Sequence, residues 1–260
     1  MVPGRPSGIR TGWGRRVNRQ IECPDISVPL RRHWQGIYPH VFIAPYPFFR
    51  LRREGAEGDD RYEPVKAPGE RGSDFDDRVK RLGEAVSWHA VHVAVAPERD
   101  RETFFRAVWL LSALGYAERA GIALQEEISA WTEARNLYLP ASDAPPAILE
   151  PALARFLGRF GLTHLTAYDE FRTESMEVSL EALADDAKAV ALRRSGLYAL
   201  HAPDPGVLIS GSFDGAEAII AMSNAARAIA GPERDFEVYP AGPETYVDWL
   251  NPKCFFPRQQ

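Results

Sequence analysis

Four side chains in this sequence have the types and the placement for acid–base chemistry: Asp169, Glu170, His201 and Asp214. The two adjacent carboxylates follow residues 162–168, whose alternation and β-branched and aromatic content read as a strand. His201 closes a second expected strand, 197–201, and Asp214 follows a third, 207–210. Functional groups in sheets flanked by helices collect just past strand ends, so these four are expected to share one rim. A histidine beside a carboxylate there would titrate near neutrality and serve as an acid–base pair. A plainer reading competes with this one and is favoured. Adjacent residues on an extended chain point to opposite faces, so Asp169 caps the next turn and Glu170 is solvated.

Residues 87–96, Ser-Trp-His-Ala-Val-His-Val-Ala-Val-Ala, admit two conformations. As a strand they send His89 and His92 to opposite faces; as a helix capped by Ser87 they put both on one face. Two histidines lack the third ligand of a zinc site, so packing or interface roles are expected and no metal. Trp88, His89 and His92, with Trp249 near the C-terminus, form the candidate binding set. Gly211-Ser212-Phe213-Asp214-Gly215 faintly resembles a nucleophile elbow, but the spacing is Gly-Ser-x-x-Gly, so Ser212 or Asp214 is read as a helix cap. Neither a dinucleotide fingerprint nor a phosphate-cradling glycine loop closed by lysine occurs, and no cofactor is expected.

The elements that would position these groups fall in two zones, 1–72 and 73–260. Through Arg53 the chain has ten arginines, no lysine and two acids, a net +8, which leaves −13 for the remainder. A basic arm can reach nucleic acid. This one carries Trp34, Tyr38, Tyr46, Phe48 and Phe49 among prolines, so docking on the acidic body or on a second copy is expected, and nucleic acid is not. The prolines forbid long helices and central strands, so 21–51 reads as irregular, and 54–72 as the best candidate for disorder. Helices are expected at 73–83, 99–116 and 117–136. A further helix is started by Asp143-Ala144-Pro145-Pro146 and ended by Gly161. Ser179 caps another, which reaches Leu192, and 212–229 forms the last, ended by Gly231-Pro232. A short strand is expected at 236–239.

Composition adds bounds. With 45% hydrophobic and 26% charged residues the chain is that of an ordinary globular protein. It has no apolar run long enough for a transmembrane helix and no secretory leader in its first twenty residues. Cys23 and Cys254 make neither a metal spacing nor a redox pair. A cytoplasmic location is expected.

The order of several short stretches resembles an uncharacterised bacterial family catalogued as domain of unknown function 2711. They are Val86-Ser87-Trp88, 161–171 ending in Asp169-Glu170-Phe171, 207–215 with Phe213-Asp214, and Thr245 before Trp249. The resemblance implies an α/β domain and a helical 87–96, and assigns no residue a role. The arginine-rich front departs from it. The expected architecture is α+β: a mixed central sheet flanked by helices, preceded by an irregular proline- and aromatic-rich arm. Two functions are expected. One is a non-enzymatic immunity or regulatory module whose acidic surface takes a basic protein partner, and which forms a homo-oligomer through the arm. The alternative is a small-molecule enzyme using the strand-end carboxylates and His201.

Overall fold

The run 216–222, apolar but for Glu217, is buried from end to end, and the fold is built outward from it. In the computed structural model, which describes residues 18–112, 121–192, 194–211 and 214–250, most of this run is a strand. The sequence reading took it for helix. A strand covered on both faces shows no alternation and matches a buried helix in hydropathy alone. The only helix in this stretch follows it, Asn224–Ile229, capped by Ser223 Oγ.

The strands are β1 His40–Pro45, β2 Phe48–Leu51, β3 Gly83–Val86, β4 His164–Tyr168, β5 Ser175–Ser179, β6 Ala199–Ala202, β7 Val207–Gly211, β8 Glu217–Met222 and β9 Tyr239–Pro240. Seven form one sheet in the order β5-β4-β6-β7-β8-β1-β9, and β2 and β3 form a separate pair. The helices are α1 Leu30–His33, α2 Phe75–Leu82, α3 Trp88–Val95, α4 Arg101–Ser112, α5 Ile122–Glu133, α6 Glu150–Gly158, α7 Leu180–Ala184 and α8 Asn224–Ile229. The fold is therefore α+β. Every pairing in the large sheet is antiparallel rather than mixed, because the short turns joining β4 to β5, β6 to β7 and β7 to β8 permit no parallel crossover.

The sheet is covered on both faces. Leu165, Ala167, Leu200, Ile209 and Ile220 face Leu153, Phe156 and Leu157 of α6 and Leu183 of α7. On the other face, Leu208, Ile219 and Ala221 meet Ile21, Leu30, Trp34 and Tyr38. Residues 21–38 thus lie on the chain's own sheet. Within the stretch expected to be irregular, β1 is an interior strand paired to β8 and β9. Its prolines do not interrupt it, since Pro39 precedes it and Pro45 ends it.

The expected helix start at Asp143 is displaced. Asp143 sits at φ 75°, its N–H donates to Gly215 O at 2.8 Å, and regular helix begins only at Glu150. Gly211 lets this happen, because a Cβ there would lie 2.0 Å from Asp143 O. The helix after Ser179 also stops early, at Ala184. The reason is Glu150, which accepts the N–H groups of Val190 at 2.9 Å and Ala191 at 2.8 Å. Glu150 in turn pairs with Lys80 at 2.9 Å, and both side chains are fully buried. The Lys80 ammonium also donates to Ala182 O and Lys188 O, each at 2.9 Å. One ion pair therefore joins α2, α6 and the 182–191 segment. Replacing Lys80 by Met strands the Glu150 charge. It should lower unfolding free energy in denaturant titrations by about 3–5 kcal/mol; a loss below the roughly 0.5 kcal/mol of a surface change would contradict this.

Candidate functional site

Beside α2, against Phe75, Asp76 and Val79, lies a cavity of about 940 Å³. Its wall on the small-sheet side is aromatic. Phe49 and Tyr138 stack with centroids 4.7 Å apart and planes 1° from parallel, and Phe75 tilts against Tyr138 at 5.7 Å. Val79, Ala147, Ala191 and Leu192 continue the lining, each on a segment held by the Lys80–Glu150 pair. Pro64, Pro68, Pro140, Pro145 and Pro146 border it and limit backbone adjustment.

Residues 64–72 form one rim. This part of the expected disordered loop is held to the wall by Tyr138, whose hydroxyl accepts Lys66 N–H at 3.0 Å and donates to Pro64 O at 3.4 Å. Arg71 lies over the Phe75 and Tyr138 rings at 4.9 and 5.5 Å, a cation–π contact. Arg194 bonds Asp76 and Ser73 O. On the α4 and α5 side, Ser112 donates to Val108 O and Thr132 to Ser129 O. Both residues line the cavity.

None of the four residues read as an acid–base set lines this cavity. Asp169 closes the β4–β5 hairpin: its carboxylate accepts Thr173 N–H at 2.7 Å, Glu174 N–H at 2.9 Å and the Thr173 hydroxyl at 2.8 Å. Burial pushes its carboxyl up, but the bonds from Glu174 and Thr173 outweigh that and hold it below the ordinary value. Glu170 beside it is half-buried. His201 pairs in register with Thr166, three residues from Asp169 along the strand, or ~10 Å. It is buried in the body of the sheet rather than at its rim, with its ring 6.4 Å from that of Tyr168. Asp214 does emerge at the same end of the sheet as Asp169, but past β7, two strands away. Its N–H donates to Asp143 Oδ1 at 3.0 Å, and burial followed by the Asp143 charge pushes its carboxyl up. Ser212 lies outside the described residues.

Three of the binding candidates meet around one ring. Trp88, His92 and Trp249 lie 5.2, 6.4 and 6.5 Å from Phe105. Trp88 and His92 are core, Trp88 fully buried with its indole N–H on Tyr46 O and His92 bonded to Arg99 O, while Trp249 is half-buried against them. Residues 88–95 are helical, as the family resemblance implies, yet His89 is exposed while His92 is buried. No group of three potential metal ligands occurs among the described residues.

A family model described as "Protein of unknown function (DUF2711)" matches residues 27–251. The chain belongs to the DUF2711 family. No curated protein and no solved structure matches it. Among the described residues of this DUF2711 chain, no helix is long and apolar enough to cross a membrane. Its cavity was not anticipated from the sequence. The available signal is the occurrence of prolines beside aromatics, Pro64 and Pro68 before Phe75 and Pro140 after Tyr138, which marks a rigid apolar wall.

Burial holds the His201 imidazole below its ordinary value. The unfolded chain therefore takes up the proton first on acidification, so His201's contribution to stability is complete above about pH 6.5. That contribution is lost as pH falls from there toward the folded value. His33 is shifted the same way, by burial first. His201→Leu should thus flatten, without abolishing, the fall in melting temperature between about pH 7.5 and 5.5. An unchanged slope would contradict the assignment.

Proposed function

We propose that this DUF2711 protein binds a small, largely apolar molecule in the cavity beside α2. The carrying observation is the cavity's volume, about 940 Å³, behind an aromatic wall with a few polar groups at its edges. Ligand sites are typically concave spaces of about 300–1,000 Å³ with that composition. Binding rather than turnover is proposed, because Asp169, Glu170, His201 and Asp214 lie away from this space. A cytoplasmic location suits the reading, since Cys23 is an exposed free thiol of the kind kept reduced there.

The test uses a neutral probe, N-phenyl-1-naphthylamine, whose fluorescence rises in apolar surroundings. It should bind saturably at one site, and Ser129→Trp, an exposed position on the cavity wall, should weaken it by roughly 10-fold or more. No saturable signal, or one indifferent to Ser129→Trp, would contradict the proposal.

A specific observation favours a second reading, a regulatory or immunity module that docks a basic partner. Phe171 at the tip of the β4–β5 hairpin is 75% exposed and Met176 on the edge strand β5 is 49% exposed. Glu170, Glu174 and Glu177 flank them, and acidic rims around apolar groups steer basic partners. An arginine-rich peptide should then bind in a salt-sensitive way by fluorescence anisotropy. Replacing the three glutamates by glutamine together with Phe171→Ser should abolish that binding; equal binding by the variant would remove this reading.

A further inference from the structure

Resting on the ligand-binding reading above, we infer that the cavity selects an anionic amphiphile, with an apolar body on the apolar lining and a carboxylate or phosphate head at the 64–72 rim. The charged side chains lining the space are Lys66, Arg71 and Arg194 against Asp76 and Glu133. Asp76 is engaged by Arg194, and Glu133 is solvent-exposed on α5. Lys66 has no ion-pair partner among the described residues. The 64–72 rim carries Lys66 and Arg71 against Glu70, whose carboxylate accepts Ala67 N–H at 3.1 Å, and is thus locally cationic on a chain whose net charge is −5.

The local backbone fixes where that charge sits. Lys66 N–H and Pro64 O are both held by the Tyr138 hydroxyl, and Arg71 Nε donates back to Lys66 O at 3.3 Å. Lys66 and Arg71 are therefore joined through one turn, with Arg71 over the Phe75 and Tyr138 rings and the Lys66 backbone on the Tyr138 hydroxyl. Arg71 already covers those ring faces, so a ligand lies alongside it on the apolar lining of Val65, Val79 and Leu192, with its end beside two cations. Elsewhere on the wall, Ser112 and Thr132 have hydroxyl protons committed to helix carbonyls and Ser142 has its proton committed to Asp143, which leaves Ser129 and Asn136 as the neutral donors. The charge-assisted donors all lie on the lysine and arginine side, so an anionic head is directed there.

The experiment displaces N-phenyl-1-naphthylamine with four twelve-carbon probes: dodecanoate, dodecyl phosphate, dodecanol and dodecyltrimethylammonium. One or both anions should bind roughly 10-fold tighter than dodecanol, as one charge-assisted hydrogen bond implies, and the stronger anion identifies the head group. Lys66→Gln should reduce that preference to within about threefold, with the dye's own dissociation constant on the variant as the reference; an undiminished preference would overturn the role of Lys66. Dodecanol equal to the anions, a preference for the ammonium, or a bound dye that no probe displaces would overturn the anionic assignment while leaving the cavity reading standing. Absence of dye binding would defeat both.

Discussion

The buried Lys80–Glu150 pair is the constraint on which the functional half of this fold depends. Two charges without solvent are costly unless every remaining hydrogen-bonding position is filled. Here the ammonium has Glu150 and two carbonyls, and the carboxylate has the ammonium and two backbone amides. Those partners come from three separated parts of the chain, so the pair cannot form unless all three are in place. In that sense it specifies an arrangement more than it adds stability. Its consequence is spatial. Val79, Ala147, Ala191 and Leu192, each close in sequence to a member of the network, line the cavity.

Much of the fold was legible from local pattern, and the failures share a cause. The strand before Tyr168, the Gly161 turn at φ 74°, the helix beginning after Asp74 and the cap at Ser179 follow from signals within a few residues. The errors occur where a distant partner overrides the local signal. β8 lost its alternation because both faces are covered, one by α6 and α7 and the other by the arm. Asp143 left its expected capping role because Gly211 admits its carbonyl and Gly215 accepts its N–H. The helix after Ser179 ended because a carboxylate some forty residues upstream takes the amides of Val190 and Ala191.

The candidate site was less legible than the fold. Strand-end acids and a histidine attracted the chemical reading because their residue types are reactive, yet Asp169 is consumed by its own turn and His201 by burial. The space suited to a ligand is built instead from prolines and aromatics, with Lys66, Arg71, Arg194, Asp76 and Glu133 as its charged lining. No short motif encodes such a site. It arises when Tyr138, near the end of one long segment, stacks on Phe49 and bonds the backbone at Pro64 and Lys66. Tyr138 is thus as central to the cavity as the ion pair behind it.

The most direct test of this account is a crystal structure of the protein grown with dodecanoate. The account predicts density for the acyl chain along Val65, Val79 and Leu192, with its carboxylate beside Lys66 and the Lys80–Glu150 contact intact behind the wall. An ordered cavity filled by the protein's own side chains, or dodecanoate bound only elsewhere, would contradict it.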